Sequence, residues 1–291
     1  MPPISNTVPP LSAPVRRVET LRRERAQRLR RDLVVFGGAF AVALALSLGV
    51  GEVNPAKFIE GFPRLFSYIG RTAPPLDMAA LDASLAEWFW RWNIWSARLF
   101  DTLVIAFLAT TFASLFAFGA AFLAARNLVP RPVSIVARRL LEFFRTVPEL
   151  VFALIFVFAF GIGPFAGFLA VLVHSTGSLG KLLAETVENA DDRDLEALKA
   201  MGTSWIPRVR FALVPQVLPN FVSYALLSFE NNIRSATVLG FVGAGGIGQE
   251  VMTAIKQFQY TDVSALIVMI AALVMVVDML SGWVRRHLVE G

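Results

Sequence analysis

Two ionisable residues stand in a stretch of sequence that is otherwise mostly apolar or rich in glycine. Glu230 and Arg234 lie four residues apart, a spacing that places both on one side of an α-helix and allows an ion pair. Charged side chains are rare in apolar segments of membrane length, and there they mark functional sites or structural pairs. We therefore interpret this pair either as part of a functional site or as a pin between two helices.

A run of glycines follows the pair. Gly243, Gly245 and Gly248 satisfy the pattern G-x-G-x-x-G, which binds dinucleotides when it lies in a βαβ unit. No such unit surrounds it here, so a membrane-bound NAD-dependent enzyme is only a distant alternative. Glycines in an apolar segment instead allow close helix approach and broken helix geometry at membrane depth.

Other catalytic chemistry is excluded by what the chain lacks. It contains no cysteine and two histidines, His174 and His287, which excludes disulfide frameworks, zinc clusters and thiol nucleophiles. Gly180-Lys181 lacks the upstream glycine and the following Ser or Thr of a phosphate-binding loop. We predict no catalytic residue, no metal site and no cofactor in this chain, and we expect His174 to make a structural hydrogen bond.

One long polar stretch, residues 191–215, interrupts the apolar second half. Asp191, Asp192 and Asp194 supply the cap and first-turn charge of a helix that begins near Leu195. Gly202 is the predicted C-terminal stop. The stretch therefore predicts a short helix exposed between two apolar segments.

The composition is that of a membrane protein. Hydrophobic residues make up 56% of the chain and charged residues 17%, and the mean hydropathy is +0.61. We predict an all-α protein with six transmembrane helices. The predicted spans are 33–50, 102–125, 150–160, 165–183, 214–229 (interrupted by Pro215 and Pro219) and 263–284.

The distribution of arginines orients these spans. Eight arginines lie between Arg16 and Arg31, directly before the first apolar run, and positive charge collects on the cytoplasmic side. This interpretation is preferred to a nucleic-acid-binding arm, and it places both termini in the cytoplasm. Residues 1–15 are predicted to be disordered. Four tryptophans between residues 88 and 95 predict an interfacial helix at headgroup level on the outer side.

Two motifs resemble a known family. Glu196-Ala197, Gly202 and Pro215 have the spacing of the EAA loop of ABC importer permeases, with Leu198 replacing the second alanine. Residues 231–248, NNIRSATVLGFVGAGGIG, closely resemble phosphonate ABC importer permeases. The resemblance covers about residues 98–285 and implies a type I importer fold. It leaves residues 1–32 as a basic tail and 33–97 as the first span plus the tryptophan-rich segment.

The resemblance implies partners and two functional surfaces. A dimeric ABC ATPase that binds ATP and Mg²⁺, a periplasmic substrate-binding protein and a second permease chain are expected, with a homodimer favoured over a paralogue heterodimer. The loop at 185–215 would contact the ATPase and the glycine region would form a gate. The predicted coupling residues are Asp194, Glu196, Ala197, Leu198, Lys199, Met201 and Gly202. The predicted gate residues are Glu230, Arg234, Gly243, Gly245, Gly246 and Gly248.

The function implied is inward transport of a phosphonate or a related phosphorus oxyanion (phosphite, hypophosphite or phosphate) across a bacterial inner membrane. A self-contained secondary transporter of a small anion is the alternative. It would need an ion-coupling site of its own, for which Asp278 and His174 are poor candidates.

Overall fold

A computed structural model describes residues 13–51, 55–74, 77 and 79–289. These residues contain helices and connecting turns and no β-strand. The helices are α1 Ala13–Val50, α2 Pro55–Thr72, α3 Leu81–Trp88, α4 Trp92–Ala124, α5 Arg131–Thr146, α6 Glu149–Phe160, α7 Pro164–Glu188, α8 Asp192–Ala200, the single turn α9 Trp205–Pro207, α10 Val214–Leu239, α11 Gly248–Lys256 and α12 Tyr260–Val289. A π-helical turn, Arg208–Leu213, precedes α10, and a 3₁₀ turn, Gly240–Val242, follows it.

Five helical segments of the described chain are long and apolar enough to cross a membrane. A sixth span results if α5 and α6, which meet at 86°, are counted together. The five segments are Arg25–Val50, Trp92–Ala124, Pro164–Glu188, Trp205–Val242 and Tyr260–His287. The predicted all-α membrane fold is confirmed. The third predicted span, 150–160, corresponds to α6, the shorter helix of the bent pair.

The chain divides into two compact units, Met1–Tyr68 and Ile69–Gly291. In the first, α1 joins the basic residues and the first apolar run in one uninterrupted helix. The predicted disorder at residues 1–12 lies outside the described residues, but the helix already begins at Ala13. The tryptophan-rich segment, residues 88–95, lies in the second unit.

The tryptophans pack within that second unit. Trp95 is buried in a cluster with Ile247 and Leu266. The Trp88 indole N–H donates to Ser264 Oγ at 3.0 Å and the Trp90 N–H to Asp262 Oδ1 at 3.2 Å. These indoles therefore hold the end of α3, the turn after it and the start of α4 against the start of α12, a role that the interfacial prediction did not include.

Small residues bring α4, α5 and α7 close together. A stripe of alanines on α4, from Ala113 to Ala124, is buried against Leu179 and Leu183 of α7. On the other side of α7, a Cβ added at Gly177 would lie 2.6 Å from the backbone N of Arg145. Small side chains at these contacts let the helix backbones approach closely.

The fifth span is longer than predicted. α10 runs without a break to Leu239, although the two prolines were expected to interrupt it. Pro215 lies in the first turn, where a missing N–H leaves no helical bond unmade, and Pro219 is accommodated inside the helix. Glu230 and Arg234 therefore lie within a membrane-spanning helix, and only residues 240–247 form the connection to α11.

Candidate functional site

The buried carboxylate of α10 pairs with an arginine other than the predicted one. Glu230 is buried, and its Oε1 lies 3.2 Å from Arg285 Nη2 on α12. The predicted ion pair between Glu230 and Arg234 is wrong, because Glu230 faces the α10–α12 contact while Arg234 extends from an exposed position. The Glu230–Arg285 pair therefore joins two helices, which is the structural alternative left open for Glu230.

Arg234 lies on an exposed stripe of α10. Its Nη1 donates to Asn231 Oδ1 at 2.8 Å, one turn earlier on the same helix. Leu227, Val238 and Phe241 continue the stripe, with 44%, 48% and 40% of their surface exposed. Their spacing of three and four residues aligns all five side chains along one face. One cation and one amide thus occupy an otherwise apolar surface inside a span.

The glycine run is a junction within the chain. Gly243, Gly245 and Gly246 have φ values of +86°, +88° and +75°. A Cβ added at Gly245 would lie 2.7 Å from Pro164 Cα, and one at Gly246 would lie 2.5 Å from Thr102 Oγ1. Gly163 N donates to Gly243 O at 2.9 Å, which ties the start of α7 to the run.

This packing changes the role predicted for the glycines. Ile247 N donates to Thr102 Oγ1 at 2.8 Å, and a Cβ at Gly248 would overlap Thr237 O. Residues 244–248 are buried, so Gly245, Gly246 and Gly248 meet α4, α7 and α10 of their own chain. These three predicted gate residues therefore pack against their own chain, whereas Gly243 is half-buried.

The short polar helix α8 forms as predicted. The Asp191 side chain caps it by accepting from Arg193 N at 3.0 Å, and Gly202 ends it with a φ of +72°. Leu195 is buried against Val209 and Leu213. Those contacts fix which face of the helix points away from the protein.

The outward face of α8 carries most of the predicted coupling residues. These are Asp194, Glu196, Ala197, Lys199, Met201 and Gly202. Leu198 is the exception, since it is half-buried beside the Leu195 cluster. Met201 and Ile206 are 68% and 69% exposed. Ile206 was not predicted as part of this surface, although an apolar residue beside a polar turn is a usable signal.

Two polar residues next to α8 were missed. Glu188 Oε1 accepts from Arg126 N at 2.6 Å and lies 2.5 Å from Arg138 Nη2. Gln216 Oε1 accepts from Asp191 N at 2.9 Å. The partners are 25 or more residues apart in the chain, so no local spacing indicates them.

A buried polar cluster joins three spans and was also missed. Asn232 accepts at Oδ1 from Ser175 Oγ and donates from Nδ2 to Thr110 Oγ1, both at 2.8 Å. Thr110 in turn donates to Ala106 O. All three side chains are buried, so the cluster fixes α4, α7 and α10 relative to one another.

His174 and Glu142 each have a partner within the chain. His174 Nδ1 lies 3.2 Å from Val147 O, the structural hydrogen bond expected for it. Glu142 pairs with Arg139 at 2.6 Å and with Lys181 at 3.5 Å. Among the described residues, no group of three or more His, Cys, Asp or Glu side chains could hold a metal ion.

Comparison with known proteins decides the family. Residues 117–290 match the family described as binding-protein-dependent transport system inner membrane component. The chain belongs to this family. It is a multi-pass transport permease, and the resemblance found from residues 196–248 is confirmed.

Individual members of the family extend the comparison. The chain is 38% identical over 262 residues to the phosphite transport system permease protein PtxC of Stutzerimonas stutzeri, covering 90% of each. It is 34% identical to the putative phosphite transport system permease protein HtxC of the same organism, covering 85% of this chain and 84% of HtxC. A chain of the MetNI methionine ABC transporter, in an inward-facing conformation, has the same fold with a TM-score of 0.57 at 20% identity, covering 67% of this chain and 95% of that one.

Proposed function

We propose that this permease is the transmembrane subunit of an ATP-driven importer of phosphite, or of a phosphonate or related phosphorus oxyanion. The substrate class is supported by PtxC and HtxC, a phosphite and a putative phosphite transport permease, to which this chain is similar over most of its length. The observation that carries the proposal in this chain is Arg234, a cation on an exposed stripe within a membrane-spanning helix.

Arg234 restricts what the exposed stripe of α10 can contact. Lipid tails are a costly environment for a guanidinium group, so its face of α10 must meet protein or water. A translocation path shared with a second permease chain provides both, and we favour a homodimer. Positive potential in that path attracts an oxyanion, while the neighbouring amide of Asn231 keeps the cation oriented. Arg234 and the half-buried Gly243 remain the proposed gate residues.

The exposed face of α8 is the proposed contact with the ATPase. It presents Glu196 and Lys199 beside the exposed side chains of Met201 and Ile206. Aromatic and methionine side chains in contact with charged rims are common at protein interfaces. ATP and Mg²⁺ would be bound by the ATPase dimer, and substrate would be delivered by a periplasmic binding protein. Conformational change then alternates the access of one path between the two sides of the membrane.

Reconstitution tests the proposal. The permease is purified with its ATPase and binding protein, placed in proteoliposomes, and supplied with phosphite, hypophosphite, methylphosphonate or phosphate. Uptake of one of these anions that requires ATP and the binding protein is expected. ATP-independent uptake would contradict the proposal and favour a secondary transporter, and uptake of none of the four would exclude the substrate class.

A further inference from the structure

The segment between α7 and α8 is held at both ends by side chains with no part in the proposed gate or ATPase contact. At its start, Glu188 accepts from Arg126 N and pairs with Arg138, whose Nε donates to Ala124 O at 2.8 Å. This end is therefore tied to the turn between α4 and α5. Three residues later, the cap of α8 is held in a different way.

The Gln216 side-chain amide forms hydrogen bonds with both backbone groups of the cap residue, Asp191. Its Oε1 accepts from Asp191 N at 2.9 Å, and its Nε2 donates to Asp191 O at 3.3 Å and to Ala212 O at 2.8 Å. Both amide hydrogens and one lone pair are thus engaged. At Asp191 these hydrogen bonds involve only the backbone, because the Asp191 side chain caps α8.

The apolar contacts of α8 do not perform the same task. Leu195 is buried in a cluster with Val209, Leu213 and Val217, which anchors the helix, but hydrophobic contact is not directional. Hydrogen bonds to both backbone groups of one residue are directional. They fix the angle at which α8 leaves the chain relative to α10, and α10 is the helix that carries Arg234.

We propose that Gln216 is a positioning residue that makes α8 and α10 move as one body. This inference rests on the proposed function, because it describes how a displacement of α8 by the ATPase reaches the Arg234 stripe. Glu188 provides the corresponding link to the α4–α5 turn. Without the Gln216 link, α8 rotates about its hydrophobic anchor, and ATP hydrolysis proceeds with little transport.

The test is Gln216→Glu in the complete transporter, with phosphite as the transported probe. The substitution keeps the size and the acceptor for Asp191 N, but it turns a carboxylate oxygen toward two carbonyl oxygens. We expect assembly with the ATPase to be retained and phosphite imported per ATP hydrolysed to fall about tenfold, within the usual range of coupling between sites. Gln216→Met, which removes the bonds without the repulsion, should have a smaller effect of the same sign.

The matched control is Gln257→Glu, the same change at an exposed residue after α11, which should leave the ratio unchanged. A wild-type ratio in Gln216→Glu would overturn the proposal. So would loss of ATPase binding in both Gln216 variants, because Gln216 would then support only the stability of the contact.

A second measurement separates this inference from the proposed function. The chain has no cysteine, so spin labels can be attached at Ala200→Cys and Asn220→Cys, which are exposed and are not among the proposed gate or ATPase-contact residues. The distance distribution between the labels should be narrow with Gln216 and broad with Gln216→Glu, whatever substrate the transporter carries. Equal widths would overturn the inference. A broadening without any phosphite uptake would support the link and contradict only the substrate assignment.

Discussion

At the scale of single residues, Glu230 and Arg234 of α10 differ in where their partners lie. The exposed fraction is 6% for the Glu230 side chain and 38% for its partner Arg285. A buried carboxylate with a partner on another helix stabilises the packing of the two helices. Arg234 has a partner on its own helix, and its loss leaves the contact between α10 and α12 intact.

Glu230→Gln and Arg234→Gln should therefore change different properties. The first should lower folding stability and the second should lower transport. Removing the carboxylate leaves the half-buried Arg285 without its counter-charge, which we expect to cost about 1–3 kcal/mol of folding stability. Arg234→Gln should leave the thermal unfolding midpoint within error and lower phosphite uptake per folded transporter. A lower midpoint for Arg234→Gln with normal uptake would assign Arg234 to packing. Fluorescence-detected thermal unfolding and proteoliposome uptake measure the two quantities.

Alanine substitutions at two glycines distinguish the cost of backbone strain from the cost of a steric clash. Gly161 and Gly246 both have positive φ, but a Cβ at Gly161 meets nothing within 4 Å, whereas one at Gly246 meets Thr102 Oγ1. Gly161→Ala should cost about 1–3 kcal/mol, because a φ of +89° with a ψ of +169° lies in a backbone region that is almost exclusive to glycine. Gly246→Ala should cost more and lower the amount of folded protein in the membrane. If the two variants give equal amounts of folded protein and equal unfolding midpoints, the junction around residues 240–248 can shift to accommodate a methyl group.

At the scale of elements, α8 tests how the permease meets its ATPase. The turn at Gly202 has a φ of +72° with open space around it, so a substitution there acts through the backbone alone. Gly202→Val should displace the end of α8 and reduce ATPase copurification, whereas Gly202→Asn should be tolerated because asparagine adopts left-handed φ more readily. If both variants copurify with the ATPase like the wild type, the end of α8 is not part of the contact.

Charge reversal tests the middle of the same helix. Glu196 is exposed on the outward face of α8, so Glu196→Lys should leave folding unchanged and weaken the contact with the ATPase. Rim charges act mainly on the rate of association, and the effect should grow at low ionic strength. Copurification and uptake at two salt concentrations measure it. Normal values at both would remove Glu196 from the proposed contact.

The elements differ in how far the sequence predicts them. α8 was predictable because Asp191 and Gly202 mark its ends locally. The length of α10 was not, because the tolerance of Pro215 depends on its place in the first turn after a π-helical segment. Nor was the partner of Glu230, since Arg285 lies 55 residues away while Arg234 stands at a plausible local spacing. The ends of α8, which local residues mark, were predicted correctly, whereas pairings between helices could be identified only from the fold.

At the scale of the whole molecule, the number of spans sets the sides of the membrane on which the exposed segments lie. Single cysteines at Ala26 and Arg286 should be labelled from the cytoplasm, and one at Ala73 from the outside, against a native chain without cysteine. This expectation counts the bent pair α5 and α6 as one span, which gives six. Labelling of Ala26 and Arg286 from opposite sides would require five spans and reverse the side assigned to one end.

The cluster around Asn232 limits which parts of this molecule can slide. Moving α10 by one helical turn, about 5.4 Å, would carry its amide away from Thr110 and Ser175 and break both hydrogen bonds in an apolar interior. The amide of Asn232 and its two hydroxyl partners therefore set the register between α4, α7 and α10. We therefore expect these three helices to move together, so that the proposed transport cycle opens the protein at the edges of this frame.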